Sequence, residues 1–352
     1  MLISKKKVIL FMPGTVGGSQ RMMIALAKFL EPDKYNVKIF VVDKKIGGIK
    51  YFVPKDWNIE LLRIKNIYDF TIFRMVRVIK REKADFLFSS IYYLNLRVLV
   101  ASKLTGVPAI LRNDNYVKVL RPVHKFWVKH IYKWTKVAIM QQEEMREEFL
   151  RTFPEFPSTK AIVIHNPIDI EAIEERAQVP SPYPNDNSIN YVWIARFHPS
   201  KGQDVLAKAF VKVHEKLPNA HLYFIGRFQD LQFYENVKAF VINAGLQDYI
   251  HFEGFDSNPY RWVKNCDCFV LPSRLEGLPN ALVEAMYMKR PVVSTTCVDI
   301  IKRMVQDGYN GYLVPSEDSD AMAEAMIKAI KLQNLKMTYR PAQPEEFRRL
   351  FE

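Results

Sequence analysis

Cysteine is nearly missing from this chain: Cys266, Cys268 and Cys297 are the only three in 352 residues. An odd, sparse set without a histidine pattern around it supports neither a disulfide framework nor a zinc site. It points to reduced thiols in a cytoplasmic protein. No run approaches the roughly 18–20 apolar residues that cross a membrane. The first residues place three lysines before an apolar run, as a signal peptide would, but the run from Val8 to Met12 is shorter than the roughly 7–15 residues such a core needs. It reads instead as a first buried strand. Low-complexity tracts and short tandem repeats are also absent.

What is present is apolar side chain in quantity, and positive charge in one half. With 49% hydrophobic residues, a chain of 352 can bury two cores. Residues 1–180 carry 31 Lys and Arg against 18 Asp and Glu, whereas 181–352 carry 20 of each. The whole surplus of +13 therefore lies in the first half. Such asymmetry suggests that one half faces an anionic surface.

Short apolar runs alternate with amphipathic segments from end to end. Runs at 8–12, 37–42, 85–89, 109–111, 137–140 and 161–164 predict strands in the first half, with helices over 20–30, 73–81, 95–104 and 143–151. The second half repeats the style, with strands at 191–194, 221–225, 250–252, 268–271, 292–294 and 311–314 and helices between them. Continuously apolar strands alternating with helices mean parallel sheets covered on both faces. Between the halves lies Gln178-Val-Pro-Ser-Pro-Tyr-Pro-Asn-Asp-Asn-Ser188, whose prolines and polar residues mark a domain boundary. The expected fold class is α/β: an N-terminal doubly wound domain over 1–180 and a second over 181–335, facing across a cleft. A helical tail over 336–352 returns to the first domain in this reading.

The richest stretch runs from Ser273 to Met286 and holds Glu276 and Glu284 eight positions apart. Glu276 falls in a loop after the strand-like Cys268–Leu271. Pro279 suits the first turn of a helix, and Glu284 lies about a turn further on. Backbone N–H groups of Gly277 and its neighbours, with the positive end of the helix dipole, make a place for phosphate or sugar oxygens. Ala195 to Gly202 follows another strand and offers Arg196, a planar fork, and Lys201, a point charge; both suit a diphosphate, though both also fit solvated surface charges. Gly17 and Gly18, after the first strand, let the backbone approach a phosphate or an acceptor, or make an ordinary tight turn. Arg227, after the strand at 221–225, sits in a plausible ligand loop.

The segment from Arg112 to Lys136 interleaves Arg112, Arg121, Lys125, Lys129, Lys133 and Lys136 with Trp127 and Trp134 around a single acid, Asp114. On a helix from Pro122, Trp127, Ile131 and Trp134 share a face. That is the composition of an interfacial helix on anionic lipid, and equally of a solvated face over a core stripe. No recognised nucleic-acid module accompanies the charge.

Glu276 and Glu284, with Gly277, Pro279, Ala285-Met286 and Pro291-Val-Val293, resemble the EX7E signature of the retaining GT-B glycosyltransferases of family GT4. Arg196 and Lys201 fall where that family keeps its diphosphate-binding Arg and Lys. Gly17-Gly18 match its N-terminal glycine loop, His165-Asn-Pro-Ile-Asp169 its interdomain segment, and Asp307 to Val314 its late Asp-Gly run. Three positions depart from the pattern. Lys289-Arg290 replaces a glycine, Ala195 replaces another, and Arg112-Asn-Asp114 stands where an N-terminal histidine is frequent.

The resemblance implies two Rossmann-like domains, a UDP- or GDP-linked sugar donor, transfer with retention and no metal or other cofactor. Glu276 would meet the donor sugar and Glu284 the ribose. Arg196 and Lys201 would neutralise the diphosphate, and Gly277, Leu278, Pro279, Asn280 and Arg227 would complete the donor pocket. The reading that follows is a hexosyltransferase of bacterial surface-glycan assembly with a lipid-linked acceptor. It would be cytoplasmic and peripheral on the inner face of the membrane, with Arg112, Arg121, Lys125, Trp127, Lys129 and Trp134 on the acceptor and membrane side. A nucleotide-sugar 2-epimerase of the same fold and a non-catalytic membrane-surface binding protein are the alternatives.

Overall fold

A computed structural model describes residues 5–15, 17–64 and 71–352, which leaves Val16 of the glycine loop outside the described residues. The chain folds as two compact units: one reaches to Ile168 and takes in Pro341–Glu352, the other is Asp169–Arg340.

In the first unit the elements are β1 (Lys6–Met12), α1 (Gly18–Ala27), β2 (Tyr35–Asp43), β3 (Asn58–Arg63), α2 (Ile72–Glu82), β4 (Phe86–Ser90), α3 (Tyr92–Thr105), β5 (Ala109–Arg112), α4 (Pro122–Ile131), β6 (Val137–Met140), α5 (Glu143–Thr152) and β7 (Ala161–Val163). The strands form one parallel sheet in the order β3-β2-β1-β4-β5-β6-β7. Successive side chains of a strand point to opposite faces, and β1 shows why its run is unbroken. Ile9 and Phe11 join Met75, Val98 and Leu99 on one side. Val8, Leu10 and Met12 join Met23, Ile24 and Leu26 on the other.

The last residues complete this second face. A short helix, Pro344–Arg348, carries Phe347 into the layer beside Phe88, ring centroids 5.3 Å apart, and Phe351 follows beside Phe86 at 5.4 Å. Lys6 and Lys136 donate from Nζ to the carbonyls of Phe351 and Leu350 at 3.1 and 2.8 Å.

The second unit contains α6 (Ile170–Ala177), β8 (Ile189–Ile194), α7 (Gln203–Lys216), β9 (Ala220–Ile225), α8 (Leu231–Asn243), β10 (Ile250–Gly254), α9 (Tyr260–Asn265), β11 (Cys268–Leu271), α10 (Asn280–Tyr287), β12 (Val292–Thr295), α11 (Asp299–Met304), β13 (Gly311–Val314) and α12 (Ser319–Ala329). Its parallel sheet runs β10-β9-β8-β11-β12-β13. In both sheets the strand order reverses beside the first strand, so each has one switch point: β1/β4 in the first unit and β8/β11 in the second.

Two expectations differ from this arrangement. The proline-rich 178–188 lies inside the second unit, and the chain crosses between units at Ile168–Asp169 instead. The reason is packing. Helix α6 is tied to the second unit where Asn258 Nδ2 donates to the Arg176 carbonyl at 2.8 Å. Tyr183, within the proline-rich stretch, is buried and donates to the Trp262 carbonyl at 2.7 Å. The second difference is α4, which ends at Ile131 and tightens to a three-residue turn over Tyr132–Trp134. The buried Tyr132 hydroxyl there donates to Asn113 Oδ1 at 2.9 Å and accepts from Asn95 Nδ2 at 3.0 Å.

Candidate functional site

Ligands of open parallel sheets bind beyond the carboxyl ends of the strands, at the switch point. In the second unit that point lies between the neighbouring strands β8 and β11. The loop leaving β8 carries Arg196 and Lys201, and the loop leaving β11 carries Glu276, so topology places both motifs at one edge.

Close backbone contact then joins the loops. Gly202, at φ +69°, opens α7, and a Cβ there would sit 2.0 Å from the Pro272 carbonyl oxygen, which only glycine avoids. The Ser200 carbonyl accepts from the Arg274 and Leu275 amides at 2.9 and 3.3 Å. With the backbones fixed, Lys201 Nζ donates to Glu276 Oε1 at 2.7 Å, and Ser273 Oγ donates to the same oxygen at 2.7 Å. Both side chains are largely withdrawn from water, 15% and 10% exposed. Thr295, at the end of β12, hydrogen-bonds the Ser273 carbonyl. A lysine and a carboxylate thus share one partly dehydrated spot, where charge acts more strongly than in water.

Around this pair the other sequence-predicted residues take definite places. Glu284 is inside α10 and only 7% exposed, with the Tyr260 hydroxyl 3.4 Å from its Oε1. Pro279 stands at the N-cap, one position before the first helical turn expected for it, and Asn280 opens the helix. Leu278 is buried and Gly277 half-buried. Arg196 is exposed at the end of β8, where its carbonyl accepts from Gln203 Nε2 at 3.0 Å. Arg227, exposed after β9, lays its guanidinium 4.5 Å from the Phe255 ring centroid. Cys297, after β12, is close enough to feel Glu276 and Lys201; burial and the Glu276 charge push its thiol up to about 11. It is therefore a protonated, weakly nucleophilic thiol at neutral pH.

The sequence reading missed Arg274. Its guanidinium donates through Nη1 and Nη2 to both oxygens of Asp204, each at 2.8 Å, through Nη1 to the Pro199 carbonyl, and to Glu317. These hydrogen bonds raise the guanidinium above its ordinary value. Burial works against ionising Asp204, yet the Arg274 bonds hold its carboxyl below the usual range. The only signal in the sequence was a basic residue two before Glu276.

The late Asp-Gly run builds local structure. Asp307 Oδ1 accepts from the Leu313 amide at 2.7 Å, and Asn310 Nδ2 donates to the Met304 carbonyl at 3.0 Å. In His165–Asp169, Asp169 caps α6 by accepting from the Ala172 amide at 3.3 Å.

In the first unit, Gly17 and Gly18 sit at the N-terminus of α1, after β1 at that sheet's own switch point. Nearby, Ser19 Oγ donates to Asp114 Oδ2 at 2.7 Å. Arg112 was expected on an exposed basic face; it is 1% exposed and donates to Asn166 Oδ1, because β5 carries it into the sheet interior. The remaining residues of that segment behave differently. Trp127 and Trp134 are 48% and 38% exposed and are joined at the surface by Val123 and Phe126, while Arg121 and Lys129 are exposed and Lys125 is half-buried. Ile131, expected on the same face as the tryptophans, is buried. Among the described residues, no group of three or more His, Cys, Asp or Glu is placed to hold a metal ion, and no helix is long and apolar enough to cross a membrane.

Comparison with known proteins places the chain in a family. The model of Glycosyltransferase Family 4 matches residues 16–172, and that of Glycosyl transferases group 1 matches 188–331, so the two together cover most of the chain. An uncharacterized glycosyltransferase of Methanocaldococcus jannaschii is 25% identical over 242 residues, 64% of this chain and 59% of that relative. A phosphatidyl-myo-inositol mannosyltransferase of Mycobacterium leprae is 28% identical over 255 residues, 71% of this chain and 63% of its own length. The chain thus spans about three-fifths of the length of these two relatives. Among solved structures, Anabaena HepE in complex with UDP and glucose superposes with a TM-score of 0.76 at 17% identity, covering 92% of each chain. The shared architecture is GT-B, with two Rossmann-like parallel-sheet domains.

Proposed function

This chain belongs to the group 1, family 4 glycosyltransferases, and from that premise we propose that it transfers a hexose from a nucleotide-sugar donor to a lipid-linked acceptor, with retention at the anomeric carbon. The observation that carries the reading is the Lys201–Glu276 pair with Ser273, held at the switch point of the second sheet. When the bond between sugar and diphosphate breaks, negative charge builds on the leaving phosphate. Lys201 and Arg196 supply fixed positive charge at that edge, so the reaction needs no metal ion. Glu276 accepts hydrogen bonds from the donor sugar, and Glu284, buried in α10, accepts from the ribose hydroxyls. Gly277, Leu278, Pro279 and Asn280 form the wall between them at the positive end of the α10 dipole. Arg227 lies on the nucleotide side. Gly17 and Gly18 offer backbone to the acceptor.

The lipid-linked acceptor is supported by the face around α4, and by a relative whose name specifies a phosphatidylinositol. Val123, Phe126, Trp127 and Trp134 expose apolar rings and a branched side chain among Arg121, Lys129 and Lys133. Large exposed aromatics between cations suit the headgroup layer of an anionic membrane. In this reading the protein works at the inner face of a bacterial cell membrane, in surface-glycan assembly.

A thermal-shift screen of UDP-, GDP- and dTDP-linked sugars tests the donor assignment, since a bound ligand stabilises the fold by mass action. A shift with one nucleotide class, followed by sugar incorporation into a polyprenyl-diphosphate acceptor, is the expected result. Nucleotide release without product on any acceptor makes the protein a donor hydrolase and removes the transfer reading.

A further inference from the structure

Lys201 can serve a diphosphate only if the turn that bears it stays seated against the loop that bears Glu276. The turn Pro199–Lys201 is three residues long, capped by His198 before it and Gly202 after it. Backbone bonds from Arg274 and Leu275 to the Ser200 carbonyl hold its middle. The Arg274 side chain holds both its flanks: Pro199 before Lys201 through the carbonyl, and Asp204 after it through a two-point carboxylate bond. Glu317, at the far side, holds the guanidinium in place. Arg274 therefore spans the two loops of the site with its backbone in one and its side chain in the other. Two-point guanidinium–carboxylate pairing fixes orientation as well as distance, which a lysine at the same place cannot do.

We propose that Arg274 is the positioning residue of the donor site, clamping the Pro199–Asp204 turn so that Lys201 is aimed at the departing diphosphate. The inference rests on the glycosyl-transfer reading above. Arg274 itself contacts no reacting atom; its effect passes through Lys201. That gives it a signature distinct from mere support of the fold, because its contribution disappears once Lys201 is gone.

The test is a double-mutant cycle on the full chain, combining Arg274→Ala with Lys201→Ala. Release of nucleotide from UDP-glucose, GDP-mannose and dTDP-glucose selects the donor, and rates are normalised to nucleotide-binding molecules counted by calorimetric titration with UDP, GDP or dTDP. Arg274→Ala alone is expected to lower kcat at least ten-fold with a smaller change in KM. Arg274→Lys recovers part of that loss, and Asp204→Asn reproduces it from the other end of the contact. In the Lys201→Ala background, Arg274→Ala is expected to add less than a two-fold loss. If Arg274→Ala does not fold, the same cycle is run with Asp204→Asn.

A full ten-fold loss that persists without Lys201 overturns the assignment, as does an Arg274→Ala enzyme with unchanged kcat. In both cases the wild type still binds and turns over the donor, so the donor site itself stands and only the role of Arg274 is lost. A wild-type protein that neither binds nor turns over any of the donors overturns that reading and, with it, the role of Arg274.

Discussion

Lys201 and Glu276, 75 positions apart in sequence, meet in a hydrogen-bonded ion pair of 2.7 Å. The pairing has a direct chemical consequence. The Lys201 ammonium has three donors and this pair uses one, so on the proposed reading a phosphate oxygen can bind Lys201 beside Glu276 while the carboxylate stays within reach of sugar hydroxyls. Ser273 remains as the partner that holds the carboxylate in place.

Replacing either member should therefore cost transfer without unfolding the unit. Glu276→Gln and Lys201→Ala are each expected to lower kcat on the order of 10²–10³-fold, the usual cost of removing one charge-stabilising group. Initial rates with saturating donor check this. Wild-type turnover in both variants removes Glu276 and Lys201 from the site.

Glu284 should behave differently, because it is assigned to a part of the donor that does not react. Loss of a charged hydrogen bond to ribose is worth about 1.5–3 kcal/mol, or roughly 10–100-fold in donor affinity. Glu284→Ala is expected to raise the donor KM by that factor and to change kcat less. Equal losses in kcat and kcat/KM would instead place Glu284 at the reacting bond.

The α4 face makes a prediction that needs no enzyme assay. Flotation with vesicles rich in phosphatidylglycerol should recover the protein at low salt and less of it as screening increases. Neutralising Lys129 and Lys133, and separately replacing Phe126 and Trp127 by Ala, should each reduce recovery, with about 1 kcal/mol expected per basic residue at the surface. Equal recovery on neutral vesicles, or from all variants, would end the membrane assignment.

The second unit should also lose stability in mild acid. His221 Nδ1 and His251 Nε2 lie 3.0 Å apart on neighbouring strands β9 and β10, so one proton serves both rings. Burial lowers both imidazoles below their ordinary value; His214 adds to this at His221, and His221 adds to it at His251. Asp186 and Asp248 oppose it without reversing it. The folded state thus binds protons more weakly than the unfolded one. Stability is complete above the unfolded value near 6.5 and falls as pH drops through the lowered folded values. Melting curves between pH 8 and 5 should show the decline, and His251→Gln should flatten it.

Much of this architecture was legible because buried parallel strands announce themselves. The runs at 137–140, 268–271 and 311–314 coincide with β6, β11 and β13 residue for residue. Strand β3 escaped notice because it lies at the sheet edge, where Asn58, Glu60 and Arg63 interrupt the apolar pattern. Helix α6 was hidden in an acidic stretch where only Ile173 and Ala177 are buried. The prolines of 178–188 do mark irregular backbone, but composition carries no information about which side of that backbone packs where, and Tyr183 decides it. The site shows the same division. Glu276 and Lys201 were readable from loop position and charge. Arg274 gains its meaning only from Asp204 and Glu317, 70 and 43 residues away, which no local pattern connects.

The C-terminal return has a consequence in time. The first sheet lacks part of one face until Phe347 and Phe351 arrive, and they are made after the whole of Asp169–Arg340. On the ribosome the second unit can therefore close first, although its sequence comes later, while Phe86 and Phe88 wait uncovered. Deleting Pro341–Glu352 should leave the first unit permanently in that waiting state, prone to aggregate. Phe351→Ala should cost about 3–5 kcal/mol and lower its melting transition by many degrees, with the transition of the second unit unmoved. Residues that follow the second unit in the chain thus decide when the half made before it becomes a finished fold.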